Sequence, residues 1–301
     1  MTSSILERPK STPSRFSEER SPNPIPSLIR QNYDPNTISV MTQNIYWKPR
    51  FGRRKAFRNI ADAIEHHSPD FVFLQEVVFG RDAKVFEELG NYIAIYQQGK
   101  FFDCLPFPRR VNGDLLTLVR KQPWKHSIEE IALQEKPYSF FRPYEKQGKW
   151  YNQQFWDRLS KKGYLLVKVN GFKLINTHLL SLYDQPVEKD FDWQSQIAEL
   201  SKDALEDHEA GSKVILAGDL NVPDDSRYLE PLLSRFKDIS DGTGDSHIPD
   251  RHGDIDYIFA NFGRKINKKY IDYREFTSDH RGILVKISYG SDKQSTLPVT
   301  A

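Results

Sequence analysis

The sequence predicts an α/β domain built on mixed sheets, and three observations predict it. Strand and helix patterns alternate over residues 38–97 and then give way to hairpins and mixed elements, an order that a purely parallel sheet does not produce. Residues 164–178 read as two β patterns joined by Asn170-Gly171, the pair that a type I′ turn prefers. Residues 214–219 form a short apolar run that closes on glycine and then offers Asp219, with Asn221 two positions on. Helices are expected to cover the outer faces of packed sheets.

Residues 1–36 are dense in Ser, Pro, Arg and Glu. Such a segment buries too little apolar surface to offset its ordering entropy, so a disordered tail is expected. A first strand follows at residues 38–44. The stripe Phe57, Ile60, Ala61 and Ile64 predicts a helix over 53–67, stopped by Ser68-Pro69. A buried strand over 70–76 ends on Glu76, a helix is expected at 83–89, and strands at 92–97 and 113–119. The hairpin carries His178 to the far end of its second strand. Trp193, Ile197, Leu200 and Ala204 mark a long amphipathic helix reaching toward His208. A short helix around 226–236, a strand at 254–260 and a last strand at 283–287, preceded by Ser278-Asp279-His280, complete the domain. Residues from 291 onward read as a flexible tail, so the domain runs from 37 to 290.

With 38% hydrophobic and 28% charged residues in 301, the chain has the balance of a soluble protein. No apolar run approaches the roughly 18 residues that a membrane helix needs. A formal charge of +2 exerts no strong pull on nucleic acid or anionic lipid, so partners must be read locally. The single Cys104 excludes an intramolecular disulfide and a cysteine metal cluster. The first residues lack the apolar core of a secretion signal, and a monomer in the cytoplasm is the expectation. There is no P-loop, nucleophile elbow or dinucleotide fingerprint.

Strand alternation would project Asp219 and Asn221 together from the rim of a sheet. A carboxylate there can hold a cation or take a proton, and a neutral amide can donate to a phosphoryl oxygen without repelling it. The same segment taken alone is also an ordinary strand running into a polar turn.

Five further motifs stand at strand ends beside Gly218-Asp219-Leu220-Asn221. They are Gln43-Asn44, Gln75-Glu76, Thr177-His178-Leu179, Asp254-Ile255-Asp256-Tyr257 and Ser278-Asp279-His280. The ordered set resembles the endonuclease/exonuclease/phosphatase superfamily, which includes deoxyribonuclease I, neutral sphingomyelinases and inositol polyphosphate 5-phosphatases. The resemblance implies a four-layered α/β/β/α sandwich with two facing mixed sheets and a site at one end. It implies hydrolysis of a phosphate ester, foremost a phosphodiester, with Mg²⁺ or Mn²⁺ held by Glu76, Asn44 and Asp279. His280 would be the general base and Asp256 its support, His178 a donor to a phosphoryl oxygen, and Asp219 and Asn221 the groups that position or protonate the reactants.

Residue chemistry agrees with these roles. A carboxylate such as Glu76 at the end of a buried strand is costly to desolvate without a cation, and oxygen and amide donors favour Mg²⁺ or Mn²⁺ over zinc. The His280 imidazole titrates near neutrality and can accept a proton from water. His66, His67, His247 and His252 read as structural or solvated.

Lys162-Gly163 ahead of the hairpin, with Asn176 to Leu179 at its end, is similar to neutral sphingomyelinases and tilts the substrate toward a small or lipid-borne phosphodiester. Residues 100–110 and 136–158 interleave aromatics with Lys and Arg, a composition that suits stacked single-strand bases or a lipid interface. Together with the basic run at 50–55 they keep a nuclease as the alternative. A non-catalytic binding module on the same fold is the alternative of another class.

Overall fold

A computed structural model describes residues 34–45, 53–77, 80–97, 115–124, 132–137, 163–179, 189–205, 212–222, 227–241, 246, 254–272 and 278–289. The chain divides into two units, Met1–Asp34 and Pro35–Ala301. The second holds every element below.

Its elements run β1 (Thr37–Asn44), α1 (Arg53–His67), β2 (Phe71–Gln75), α2 (Gly80–Glu87), β3 (Tyr92–Tyr96) and β4 (Leu115–Arg120). A kinked helical turn at Lys121–Trp124 leads to β5 (Ala132–Pro137), β6 (Gly163–Val169) and β7 (Phe172–His178). Then come α3 (Lys189–Leu205), β8 (Lys213–Asp219), a 3₁₀ turn at Arg227–Leu229 and α4 (Glu230–Leu233). The chain closes with β9 (Lys237–Asp238), β10 (Asp256–Ala260), β11 (Arg264–Ile271) and β12 (Gly282–Ser288).

The strands form two six-stranded sheets, in the orders β11-β12-β1-β2-β4-β3 and β5-β6-β7-β8-β10-β9. Each is mixed: β1–β2 is parallel in the first and β7–β8 in the second, among antiparallel neighbours. Period-two alternation sorts the side chains into layers. Val40, Phe71, Phe73, Leu165, Val167, Ile283 and Val285 point between the sheets into a shared core. Their neighbours Met41, Val72 and Leu74 point outward, where Phe57, Ile60, Ala61 and Ile64 of α1 cover them. Tyr164, Leu166 and Leu216 point to the other outside and meet Trp193, Ile197, Leu200 and Ala204 of α3. The order is therefore helix, sheet, sheet, helix, the four-layered sandwich expected.

Local chemistry sets the boundaries. Ser68 ends α1 in a left-handed conformation (φ 47°), its N–H donating to Ile64 O at 2.8 Å and its hydroxyl to Glu65 O at 2.8 Å, and Pro69 cannot continue the helix. Asn170 and Gly171 both take positive φ, 46° and 74°, as a type I′ turn demands. Gly218 (φ 150°) lies so close to β7 that a Cβ there would stand 1.9 Å from Thr177 O, so only glycine lets β8 reach the position of Asp219.

One polar contact crosses the apolar interior. From β7, the Asn176 amide donates to Leu74 O at 3.2 Å and Leu116 O at 3.0 Å on the opposite sheet, and its Oδ1 accepts from Gln75 Nε2 at 2.8 Å. All these groups are buried.

Some elements differ from expectation. The second helix lies at Gly80–Glu87 and the fourth strand at Leu115–Arg120, each displaced by a few residues. Strands β5, β9 and β11 were not anticipated. β11 forms an edge, and its Arg264, Lys265, Lys268 and Lys269 mask the alternation while discouraging further strand pairing. Residues 1–33, 100–110, 138–158 and 290–301, with Lys162, His208, His247 and His252, lie outside the described residues. Among the described residues, no helix is long and apolar enough to cross a membrane.

Asn176→Ala leaves buried polar groups on both sheets without their partner and is expected to cost about 3 kcal/mol. Gly218→Ala is expected to cost at least about 2 kcal/mol through steric conflict at positive φ. Urea unfolding reads both; an unmoved midpoint for Asn176→Ala would show that the inter-sheet contact contributes nothing.

Candidate active site

The two parallel pairs and their antiparallel neighbours bring chemically useful residues to one rim. Asn44 closes β1, Glu76 follows β2, His178 closes β7 and Asp219 closes β8, while Asp256 opens β10 and His280 stands before β12. Register does the rest: Asp219 is paired with His178 on one side and Asp256 on the other. The first sheet supplies Asn44, Glu76 and His280, and the second supplies His178, Asp219 and Asp256.

Asp219 is where the two halves meet. Its Oδ2 accepts from Asn44 Nδ2 at 2.9 Å and lies 3.5 Å from His178 Nε2 and 3.9 Å from His280 Nε2. The Asn44 amide also reaches Glu76 Oε1 at 3.3 Å, so one side chain links two carboxylates. The His280 Nδ1 sits 2.7 Å from Asp256 Oδ2, and its Nε2 lies 3.8 Å from Asp279 Oδ1. A carboxylate on Nδ1 fixes the ring orientation and leaves Nε2 facing the rim. Seven of the eight residues expected at the site are thus in one neighbourhood.

Asn221 arrives by a different route from the one alternation suggests. β8 stops at Asp219, and Asn221 takes a left-handed conformation (φ 52°) in which its N–H donates to Asp219 Oδ1 at 2.8 Å. Its amide donates to Leu179 O at 3.0 Å. The pair is held by a turn because the strand has already ended. Glu76 is also left-handed (φ 64°), a strained conformation for a side chain of its size and typical of functional positions.

Ser278 and Gln43 belong to the quoted motifs but carried no expected role. Ser278 Oγ donates to Asn44 O at 2.7 Å and accepts from His280 N–H at 3.0 Å. Gln43 Nε2 donates to Asn44 O and to His280 O, the latter at 3.2 Å. Together they fasten the 278–280 turn to the end of β1. Their position between charged motif residues and strand ends was the available signal.

The electrostatics follow from this crowding. Burial alone would push the His280 ring down, but Asp256 at hydrogen-bond distance, then Asp219 and Asp279, outweigh it and hold the imidazolium up to about 10. Asp279 is pushed up to about 6, first by burial and further by Glu76 and Asp219, against the opposing pull of His280. Three carboxylates, Asp256, Asp219 and Asp279, thus surround one ring.

Asp219, Asp256 and His280 offer ligand atoms within 4.8 Å of one another. With Nδ1 already engaged by Asp256, this group is better described as a hydrogen-bonded pair beside a carboxylate. Glu76, Asp279 and Asn44 supply carboxylate and amide oxygens without thiolate, the donor set of a hard divalent cation. Asp279 is raised first by burial and then by Glu76 and Asp219, and a cation would offset that carboxylate contribution. His66 and His67 are in the last turn of α1, at the other end of β2 from Glu76, and take no part.

The described fold has solved counterparts. A crystal structure of D. rerio TDP2 humanized by 14 mutations aligns with TM-score 0.63 at 14% identity, covering 84% of this chain and 99% of that chain. D. rerio TDP2 complexed with single strand DNA product aligns with TM-score 0.61 at 14% identity, covering 83% and 98%. Sphingomyelinase C from Streptomyces griseocarneus aligns with TM-score 0.58 at 17% identity, covering 84% and 99%. At these identities the likeness is one of fold. No match is found among curated proteins. Residues 41–280 match the Endonuclease/Exonuclease/phosphatase family, a span that takes in every candidate residue from Asn44 to His280, and the chain belongs to that family.

Proposed function

We propose that this chain is a divalent-cation-dependent phosphodiesterase. The observation that carries the reading is the buried His280–Asp256 pair, 2.7 Å apart, whose Nε2 lies 3.9 Å from Asp219 and 3.8 Å from Asp279. His280 Nε2 takes a proton from water while Asp256 accepts the Nδ1–H and keeps the ring oriented. The water oxygen forms a bond to phosphorus as the ester P–O bond breaks. His178 donates to a phosphoryl oxygen as charge builds there. Asp219, between the two imidazoles, orients the reactants and, once it has received a proton from a neighbouring imidazolium, is the candidate donor to the leaving oxygen, with the Asn221 N–H fixing its carboxylate.

Glu76 and Asp279, assisted by Asn44, are the residues that would hold Mg²⁺ or Mn²⁺. When bound, the cation supplies positive charge to the phosphoryl oxygens and offsets the carboxylate field that keeps His280 protonated. The same reading takes residues 37–290 as the catalytic unit, acting as a monomer in the cytoplasm.

For the substrate, a small or lipid-borne phosphodiester is the first choice, supported by the motif likeness around His178 and by the fold shared with sphingomyelinase C. A nuclease is the second reading, favoured by the TDP2 fold that carries single strand DNA product.

Glu76→Gln and His280→Ala are each expected to lower kcat toward bis-p-nitrophenyl phosphate by about 100-fold or more, with melting unchanged. Undiminished hydrolysis in either variant would refute its role. Removal of divalent cations with EDTA is expected to abolish turnover, and Mg²⁺ or Mn²⁺ to restore it; no cation binding by calorimetry and no hydrolysis would favour a binding module. Sphingomyelin vesicles, plasmid, single-stranded DNA and RNA assayed in parallel separate the two substrate readings.

In the cation-free protein the His280 ring is expected to titrate near 10, and Asp256→Asn to bring it down toward the ordinary 6.5. Because the folded value is raised, the pair's contribution to stability is complete below 6.5 and is lost as pH rises through about 10. Histidine NMR titration checks the shift, and an unchanged value in Asp256→Asn would contradict it.

A further inference from the structure

Ser246 is fully buried beside the catalytic pair, and all of its polar groups are engaged. Its Oγ accepts the N–H of Ile255 at 3.1 Å and of Asp256 at 3.2 Å. Its own N–H donates to Asp254 Oδ1 at 2.8 Å, and its carbonyl accepts the N–H of Arg281 at 2.7 Å. Asp254 is held in turn by the Tyr270 hydroxyl of β11, 3.3 Å from each carboxylate oxygen. One residue therefore touches the backbone at Asp256 and the backbone immediately after His280.

The two members of that pair come from different sheets. Asp256 opens β10 in the second sheet, whereas His280 precedes β12 in the first. Gln43 and Ser278 tie His280 only to its own sheet, through β1. Of the contacts that span the two sheets here, the one through Ser246 reaches the backbone at both members of the pair, whereas Asn44–Asp219 and Tyr270–Asp254 reach neither. We infer that Ser246 is a positioning residue that clamps Asp256 to His280 across the gap between the sheets. Its hydroxyl fixes the start of β10 and its backbone carbonyl fixes the start of β12, so one buried residue ties both ends of the oxygen–nitrogen contact, beside the Tyr270–Asp254 bond that also joins the sheets. A serine that merely capped β10 would affect stability and leave the geometry of the ring alone.

The kinetic arm of the test rests on the phosphodiesterase reading, and the spectroscopic arm does not. Ser246→Ala is expected to lower kcat toward bis-p-nitrophenyl phosphate with Mn²⁺ by about 10- to 100-fold with KM little changed, the scale of a small misplacement of a reacting group. Ser246→Thr, which keeps the hydroxyl, is expected to recover most of that loss. In the cation-free protein, the downfield Nδ1–H proton resonance of His280, identified by its loss in Asp256→Asn, is expected to broaden or vanish in Ser246→Ala and persist in Ser246→Thr. If Ser246→Ala does not fold, Ser246→Cys keeps the volume with a poor acceptor and is judged by the same criteria. An unshifted resonance in a folded Ala or Cys variant overturns the inference, as does a Thr variant that folds but behaves like Ala. If the unmodified chain hydrolyses no phosphodiester, the functional reading fails and the resonance alone decides the role of Ser246.

Discussion

Two apolar sheet faces pressed together have no strong preference for one offset over another, because dispersion and water exclusion are nearly non-directional. Hydrogen bonds are directional, and Asn176 supplies them across this interface. Its amide bonds Leu74 and Leu116 on the opposite sheet and receives Gln75. Asn176 stands two residues before His178, and Gln75 one residue before Glu76. The contact that sets the offset of the sheets thus lies directly beneath the groups at the rim, and their spacing follows from it.

Above that contact, Asp219 gathers the two halves. Asn44 and His280 reach it from the first sheet, and His178 flanks it on the second. Asp256, Asp219 and Asp279 raise the His280 ring against the opposing effect of burial, while burial first, and then Glu76 and Asp219, raise the Asp279 carboxyl. The left-handed conformations of Glu76 and Asn221 belong to the same pattern, with backbone strain concentrated where side chains must be aimed.

Features carried by local periodicity were legible in the sequence. The stripe from Phe57 to Ile64 and the Ser68-Pro69 stop place α1 at 53–67, the bounds it has, and Asn170-Gly171 identifies the hairpin turn. The candidate residues were legible as a set because each stands at the end of an apolar run. Strand β11 was hidden because its edge position puts lysines where alternation would otherwise show, and two-residue β9 is too short to carry a pattern. The roles of Gln43 and Ser278, which stood in the quoted motifs, and of Ser246 went unread for another reason. Their work is to bond backbone atoms of segments distant in the chain, 237 residues away for Gln43 and His280, and no local spacing encodes that. Asn221 shows the limit of alternation itself, which ceases to apply once the strand ends.

In the proposed function this rim gathers carboxylates to hold a divalent cation beside the His280–Asp256 pair. Crystals soaked in Mn²⁺ and measured at the manganese absorption edge test it directly. An anomalous peak is expected within ligand distance of a Glu76 carboxylate oxygen, on the side of the rim shared with Asp279 and Asp219. A peak bound elsewhere with none at Glu76, or a rim that stays empty at saturating Mn²⁺, would contradict it.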